Sequence, residues 1–314
     1  MSVLLISSNR LGDAVLTTGA VPYLAAAYPN SAIVVACGAL PAPLFEAMPQ
    51  VSRVWLIRKR NLSAHWFHLW KSAIGKRWDH IVDLRGSGLS FFLAAKRRTI
   101  QMPDRQLRHR VLHLADTLKT TELLSPRLYW SADDDRKAET CIGRGQPTIA
   151  LAPIANWVGK QWPIERFVEL ANLLPNQISD LRDARFLIAG GKDDRVAAQP
   201  LLDAIGERRV IDGFGLPLPE IAALLSKSDL FIGNDSGLMH MASAVGTPTI
   251  GLFGPSRDEH YAPWGEKCRV VRTTSSYEQL MPPPGAEHML NESLMHEISV
   301  EQVVDAAVDL ASKA

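Results

Sequence analysis

The sequence predicts an α/β protein with two doubly wound, Rossmann-like domains. Apolar runs of strand length alternate with helical patterns along the first half of the chain, and the same alternation starts again near residue 145. The chain has 314 residues, of which 46% are hydrophobic and 21% are charged, so it can form two cores of ordinary size. We therefore expect two parallel sheets with ligand sites at the carboxyl ends of their strands.

The first domain is predicted over residues 1–145. It opens with a strand that breaks at residues 9–13, and a helical pattern then continues up to Pro29. The alternation continues with strands at 3–7, 32–36 and 80–84 and with helices at 41–48 and 62–75. An acidic stretch and a connecting helix lead to Gly143 and Gly145, which mark the predicted domain boundary.

The second domain is predicted over residues 146–297. Its apolar runs lie at 148–153, 186–191, 209–213, 229–235 and 248–255. The segment 272–293 contains three consecutive prolines and is predicted as a loop. Residues 298–314 form a last segment, because Val300, Val303 and Ala307 share one face of an amphipathic helix that must pack against a core.

Composition and motifs argue against several classes of protein. No apolar run approaches the roughly 18 residues of a membrane-spanning helix, and the first residues lack the features of a signal peptide. The three cysteines lie far apart, which argues against a disulfide framework and a zinc site. No dinucleotide fingerprint, P-loop or nucleic-acid recognition motif occurs. We expect a cytoplasmic protein with no cofactor, no metal and no nucleic-acid partner.

The two halves of the chain carry opposite charge. Residues 1–145 contain 20 Lys and Arg against 11 Asp and Glu, whereas the remainder contains 14 against 22, so the net charges are +9 and −8. This asymmetry predicts an anionic partner for the first half. A chance split that helps the two halves to dock is the alternative.

The loop after the first strand is the first candidate site. Residues 9–13 follow the carboxyl end of that strand, where open α/β sheets bind ligands. An Asp13 carboxylate at this position can accept the proton of an attacking hydroxyl. Asp13 also precedes an apolar helical pattern, so a helix N-cap is the alternative interpretation.

Two segments of the second domain suit an anion. Lys160 lies just before a helix predicted from Pro163, where its ammonium and the helix dipole would attract a diphosphate. Asp235 and Ser236 follow an apolar strand and are good caps for the next helix, whose N–H groups would bind an anion. His240, one turn further on, can donate to a phosphate or a ribose hydroxyl. A surface lysine and a core histidine are the alternatives.

Two acidic segments give weaker signals. The turn 190–194 ends a strand and offers carboxylates that could hold ribose hydroxyls, although helix capping explains them almost as well. The run 133–135 consists of three aspartates, but other hard oxygen ligands are missing nearby. We interpret that run as solvated surface.

Together these segments resemble glycosyltransferase family 9, the ADP-heptose:lipopolysaccharide heptosyltransferase family of Gram-negative bacteria. The likeness covers nearly the whole chain. It rests on RLGDAVLT at 10–17, on KQWP at 160–163 and above all on NDSGLMHMASAVGTPTIGLFGP at 234–255, which specifies more than a dozen positions in order.

The resemblance implies a fold and a set of site residues. The fold is GT-B, with two Rossmann-like domains facing a cleft and a C-terminal helix that crosses back onto the first domain. Asp13 matches the general base, and Lys160 matches the catalytic lysine that contacts the donor phosphates. The residues implied in donor binding are Asn156, Asp194, Asp235, Ser236, Gly237 and His240.

The function implied is the inverting, metal-independent transfer of a heptose or related sugar from an ADP-sugar to an acidic, lipid-linked glycan of the lipopolysaccharide-core type. Basic residues of the first domain could hold acceptor phosphates or carboxylates, and a solvated basic face is the alternative interpretation of them. These residues are Arg10, Arg97, Arg98, Arg105, Arg108 and Arg110. We expect a cytoplasmic enzyme with peripheral association with the inner membrane. A transferase for another nucleotide sugar and a non-catalytic nucleotide-binding relative are the alternatives.

Overall fold

The computed structural model describes residues 2–58, 64–103, 106–143, 145–283, 285 and 291–313. The chain divides into two compact units, Met1–Trp130 and Ser131–Ala314. Each unit contains its own parallel sheet. Within the described ranges, no helix combines the length and the apolar character needed to span a bilayer.

The first unit is built on a five-stranded parallel sheet with the order β3-β2-β1-β4-β5. Its strands are β1 (Ser2–Ile6), β2 (Ala32–Cys37), β3 (Val51–Leu56), β4 (Trp78–Asp83) and β5 (Ala95–Ile100). Its helices are α1 (Leu11–Thr17), α2 (Ala20–Ala27), α3 (Ala42–Glu46), α4 (Ala64–Ala73) and α5 (Arg110–Leu118), with a 3-10 helix at Leu89–Phe92.

Strand β1 lies at the centre of this sheet, and its side chains alternate between two cores. Val3 and Leu5 belong to the core that includes residues of α2 and α5, whereas Leu4 and Ile6 belong to the core that includes residues of α4. Successive side chains of a strand point to opposite faces of the sheet. Because both faces are covered, β1 reads as a continuous apolar run and was predictable from sequence.

The second unit is built on a six-stranded parallel sheet with the order β11-β10-β9-β6-β7-β8. Its strands are β6 (Thr148–Ala152), β7 (Arg185–Gly190), β8 (Val210–Phe214), β9 (Leu230–Asn234), β10 (Thr249–Phe253) and β11 (Cys268–Arg272). Its helices are α6 (Ala132–Ile142), α7 (Ile164–Gln177), α8 (Gln199–Ile205), α9 (Leu218–Ser226), α10 (Gly237–Ala244), α11 (Asp258–Tyr261), α12 (Tyr277–Leu280) and α13 (Val300–Ala311).

The C-terminal helix α13 packs in the second unit. Its buried residues Val300, Val303, Ala307 and Leu310 belong to the same core as the buried face of α7. The helix contacts α7, β10 and β11. The apolar face of α13 that the sequence predicted is therefore covered by α7 and by the sheet of the second unit. A contact of this helix with the first domain stays a prediction.

The connecting helix α6 also belongs to the second unit, so the division falls at residue 130 rather than at the predicted 145. The helix packs against α9, and Lys227 at the end of α9 pairs with Asp135 of α6 at 3.1 Å. The Ser131 hydroxyl caps α6 by accepting from the Asp134 N–H. The acidic run 133–135 is thus the first turn of a helix, where carboxylates favour the positive end of the dipole.

Candidate active site

In the second unit, the candidate residues follow two neighbouring strands at the point where the strand order reverses. Strand β6 is the first strand of this unit along the chain and pairs with β7 on one side and with β9 on the other. Ligands of open α/β sheets bind at such a switch point, beyond the carboxyl ends of the strands. The Lys160 segment follows β6 and the Asp235 segment follows β9, so the topology brings the two together.

Lys160 and Asp235 form an ion pair at this edge of the sheet. The Lys160 Nζ atom lies 2.6 Å from Asp235 Oδ2, and the two side chains are 25% and 8% exposed. The pair lies beside the start of α10, whose free N–H groups carry partial positive charge. A cation and a helix N-terminus therefore meet where the sequence predicted an anion site.

Asn234 links the loop that carries Lys160 to the end of β9. Its Oδ1 atom accepts from the Trp162 N–H at 2.9 Å, and its Nδ2 atom donates to the Pro153 carbonyl at 2.7 Å. The side chain is fully buried. Both ends of the segment 153–162 are thus held by one amide, which makes Asn234 a positioning residue that the sequence motif contained but did not explain.

Ser236 occupies the N-cap position of α10, but its side chain makes no capping bond. Its Oγ atom is buried, and no described group of the structure hydrogen bonds to it. His240 lies one turn later, is 2% exposed, and places its Nε2 atom 4.0 Å from Asp235 Oδ1. Gly237 begins the helix between them. Asp235, Ser236, Gly237 and His240 therefore form one cluster.

The two remaining donor candidates follow the neighbouring strands β6 and β7, but they differ in their contacts. Asn156 is exposed in the bend after β6. Asp194 lies after β7, and its Oδ2 atom accepts from the Gly191 N–H at 2.7 Å. This bond caps the 3-10 helix Lys192–Arg195, so the capping interpretation of the acidic turn is confirmed. A role of Asp194 in donor binding stays a prediction.

In the first unit, Asp13 lies in the first turn of α1, because the helix begins at Leu11 with Arg10 at its N-cap position. The interpretation of Asp13 as the N-cap is therefore wrong. Its carboxylate is half-buried, and the Ser8 hydroxyl donates to Oδ2 at 3.5 Å. Gly38 after β2 leaves room for this loop, because a Cβ there would lie 2.6 Å from the Asn9 Cα atom.

Arg85 is a residue of this loop cluster that sequence reasoning missed. It follows β4, the neighbour of β1 at the switch point of the first sheet, and its Nη1 atom donates to Asn9 Oδ1 at 3.0 Å. The guanidinium lies 5.1 Å from the ring centroid of Trp66, and its pKa is lowered by burial. Buried Asp83 fixes the turn by accepting from the Arg85 N–H at 3.0 Å. No sequence motif identifies Arg85, because it lies near the loop after β1 only through the pairing of β4 with β1.

The predicted acceptor-binding arginines separate into groups. Arg10 and Arg97 are exposed. Arg98 donates to the Ser90 carbonyl at 2.9 Å and to the carbonyls of Leu93 and Ala95, so it ties β5 to the preceding 3-10 helix. Arg108 forms an ion pair with Asp116. Arg105 lies outside the described residues.

Comparison with known proteins identifies the family of the chain. The family model of glycosyltransferase family 9 (heptosyltransferase) matches residues 69–281, about two thirds of the chain. Lipopolysaccharide heptosyltransferase 2 of Escherichia coli K12 is 25% identical in a match of 332 residues that includes gaps. The match spans 91% of this chain and 92% of that protein.

Solved structures show the same fold. The E. coli ADP-heptose lipopolysaccharide heptosyltransferase II aligns with a TM-score of 0.75 at 21% identity, covering 100% of both chains. A family 9 transferase from Veillonella parvula aligns with a TM-score of 0.80 at 21% identity, covering 100% of this chain and 97% of that one. The predicted GT-B fold class is confirmed. The chain belongs to glycosyltransferase family 9, and it is a transferase.

Proposed function

We propose that this transferase moves a heptose from ADP-heptose to an acidic, lipid-linked acceptor of the lipopolysaccharide-core type. The names of its relatives support the donor and the acceptor class. The observation that carries the proposal is the Lys160–Asp235 pair at the start of α10, 2.6 Å apart, beside the buried Ser236 hydroxyl. This cluster offers a cation, a hydroxyl and helix N–H groups to one anion.

The donor diphosphate would exchange places with Asp235 as the partner of Lys160. Lys160 is the more exposed member of the pair, so its ammonium can turn towards a ligand, and the attraction of the diphosphate offsets the loss of its contact with Asp235. The Ser236 hydroxyl and the first N–H groups of α10 would donate to phosphate oxygens. Asp235 and His240 would then be available to the ribose or the sugar.

The chemical step is a displacement at the anomeric carbon. The acceptor oxygen forms the new glycosidic bond while the bond from the anomeric carbon to the diphosphate breaks, so ADP leaves and the configuration inverts. Asp13 takes the proton of the acceptor hydroxyl. Negative charge develops on the leaving diphosphate, and Lys160 with the α10 N–H groups stabilises it without a metal ion.

The acceptor would be bound through its anionic groups by arginines of the first unit. Arg10 and Arg97 are exposed, and Arg85 is held beside Asn9 in the same loop cluster as Asp13. Guanidinium groups bind carboxylates and phosphates through paired hydrogen bonds. A lipid-linked acceptor would bring the enzyme to the cytoplasmic face of the inner membrane.

Calorimetric binding of nucleotides tests the donor assignment. We expect ADP and ADP-heptose to bind in the presence of EDTA, with UDP and GDP at least about tenfold weaker. Asp235→Ala should weaken ADP-heptose binding, whereas Asp203→Ala on the exposed face of α8 should not. Preference for UDP or GDP would assign another sugar pathway, and absence of any nucleotide binding would refute the proposal.

Asp13→Asn tests the base separately from the donor site. We expect this variant to bind ADP-heptose as the wild type does and to lose at least about 100-fold in kcat with a lipopolysaccharide-core acceptor. Activity close to that of the wild type would remove Asp13 from the mechanism and leave the donor assignment standing.

A further inference from the structure

Two polar side chains beyond the Lys160–Asp235 cluster carry buried hydrogen-bond donors that have no partner. Ser256 is 6% exposed, and no described group hydrogen bonds to its Oγ atom. The same is true of the buried Nη2 atom of Arg272, whose Nη1 atom forms an ion pair with Asp258. Buried polar atoms are nearly always hydrogen bonded in folded proteins, because otherwise nothing replaces the water that they lose. Both donors are therefore available to a ligand.

These two donors continue a line that begins at Ser236. Strands β9, β10 and β11 are neighbours in the second sheet. Ser236 follows β9, Ser256 follows β10, and Arg272 is the last residue of β11. The Ser236 Oγ atom is likewise buried without a described partner. Because the strands are parallel, all three donors lie at the carboxyl edge of the sheet, where ligands of such sheets bind.

Arg272 lies on the face of the sheet that α10 covers. It is in register with Phe253 of β10, whereas Val271 before it belongs to the core that includes α13. Successive side chains of a strand point to opposite faces. A Cβ atom at Gly251, which shares the face of Phe253, would meet the Met239 sulfur of α10. The Arg272 guanidinium and α10 are therefore on the same side of the sheet.

Helix α11 joins this side of the sheet to the Lys160–Asp235 cluster. Its first residue, Asp258, pairs with Arg272, and the ring of its last residue, Tyr261, has its centroid 6.4 Å from that of His240. The His240 Nε2 atom lies 4.0 Å from Asp235 Oδ1. A chain of contacts within the second unit thus runs from Asp235 to Arg272.

The chemistry of this group suits hydroxyls better than a phosphate. The Arg272 guanidinium can only donate, the Asp258 carboxylate can only accept, and the Ser256 hydroxyl can do both. A sugar hydroxyl also donates and accepts, so neighbouring hydroxyls of one sugar can satisfy all three groups. A phosphate would be repelled by the Asp258 carboxylate. The expected ligand is therefore a neutral polyhydroxylated group.

We infer that Ser256 and Arg272 bind hydroxyl groups of the sugar that the enzyme transfers. The inference rests on the proposed function, because a donor with its diphosphate at the start of α10 can extend its sugar over β10 and β11. Arg272 donates to a sugar oxygen while Asp258 accepts from a neighbouring hydroxyl. Rotation of the Ser256 side chain to another staggered rotamer turns its Oγ atom to the sugar. Both residues determine specificity, since a sugar without the matching hydroxyls leaves these groups unpaired.

Calorimetric binding of ADP and ADP-heptose, measured in parallel, tests this assignment. Because ADP lacks the sugar, Ser256→Ala and Arg272→Met should leave its affinity within about twofold of the wild type. We expect ADP-heptose to bind about fivefold more weakly to Ser256→Ala and at least about tenfold more weakly to Arg272→Met, since hydrogen bonds to charged groups are the stronger ones. The preference for ADP-heptose over ADP-glucose, whose sugar has one carbon fewer, should fall in both variants.

Two matched controls remove the same side chains elsewhere in the second unit. The Ser226 hydroxyl donates to the Ala223 carbonyl within α9 at 2.8 Å, and Arg182 is exposed before β7. Ser226→Ala and Arg182→Met should change neither affinity. Unchanged unfolding midpoints would show that the variants are folded, and if Arg272→Met does not fold, Ser256→Ala decides alone.

The outcomes separate this inference from the proposed function. Equal weakening of ADP and ADP-heptose would overturn the inference, because the two residues would then act on the diphosphate or on the fold. Unchanged affinity for ADP-heptose in both variants, or an unchanged preference over ADP-glucose, would overturn it as well and leave the proposed function standing. Failure of the wild type to bind any nucleotide would refute the proposed function and the inference with it.

Discussion

The Lys160 and Asp235 side chains form a pair whose members differ in burial. Asp235 is the more buried, so removal of its partner leaves a carboxylate with little access to water. We expect Lys160→Met to lower the free energy of unfolding by about 1–3 kcal/mol, and Asp235→Asn to cost less. The double variant should recover part of the loss. Urea unfolding of the four proteins measures this cycle.

Lys137→Met is the matched control for this cycle. Lys137 pairs with Asp133 at 3.1 Å on the exposed surface of α6, where an ion pair contributes at most about 1 kcal/mol. An equal loss in the free energy of unfolding for Lys160→Met and Lys137→Met would show that the Lys160–Asp235 pair is no stronger than an exposed ion pair. Lys160 would then be held only loosely in the absence of a ligand.

His80 of β4 is a buried histidine that is not part of the candidate site. Its Nε2 atom lies 2.8 Å from Thr99 Oγ1, and burial and the Arg97 charge lower its pKa to about 4. Below the ordinary histidine pKa of about 6.5, the unfolded chain binds a proton that the folded chain does not. The contribution of His80 to the free energy of unfolding is therefore fully present above about pH 6.5, and it is lost as the pH falls towards about 4.

The loss over this window should reach roughly 3 kcal/mol in the free energy of unfolding. His80→Gln should flatten the pH dependence of urea unfolding between about pH 6.5 and about pH 4, because glutamine does not titrate. His296→Gln at an exposed position should leave the dependence as in the wild type. An unchanged slope in His80→Gln would show that other groups carry the acid sensitivity.

At the scale of elements, the loop between β6 and α7 depends on the end of β9. The Asn234 amide holds both Pro153 and Trp162, and Lys160 lies between them. Asn234→Ala leaves two buried backbone groups without partners, which costs about 2–4 kcal/mol. We also expect weaker ADP binding, because the loop that carries Lys160 is released.

Calorimetry and urea unfolding check both effects. Asn176→Ala on the exposed face of α7 removes an amide that bonds only within its own helix, and it should change neither quantity. Retained ADP affinity in a destabilised Asn234→Ala protein would limit Asn234 to a structural role.

Element prediction from sequence succeeded for the central strands of both sheets and for the edge strand β8. The predicted runs correspond to β1, β2, β4 and to β6 through β10. The segments that it missed, β3, β5 and β11, all lie at sheet edges. Strand β5 reads AKRRTI and is largely exposed, so no apolar periodicity marks it. Its pairing with β4 makes it a strand.

At the scale of the whole molecule, each unit has its own core and its own charge. The first unit has a net charge of +10 and the second a net charge of −9. Helix α13 completes the core of the second unit, and the Ile298 carbonyl just before it accepts from Trp162 Nε1 at 2.9 Å. The chain end is thus part of the unit that carries the Lys160–Asp235 cluster.

Val303→Asp tests the place of α13. A buried unpaired carboxylate in this core should lower the free energy of unfolding by about 3 kcal/mol or more. Hydrogen exchange should accelerate in α7 and β11 and stay slow in β1. Faster exchange confined to β1 and α2 would mean that the helix supports the first unit in solution. Val308→Asp, on the exposed face of the same helix, is the matched control.

The sequence by itself determined the α/β class, the buried central strands and the family, because apolar runs and the ordered residues from Asn234 to Pro255 are local signals. Only the tertiary structure decided what each polar group does. It paired Lys160 with Asp235, placed Arg85 beside Asn9, bonded Arg98 to the Ser90 carbonyl and packed α13 on α7. These contacts join residues that are often far apart in the chain, and strand order and burial bring them together.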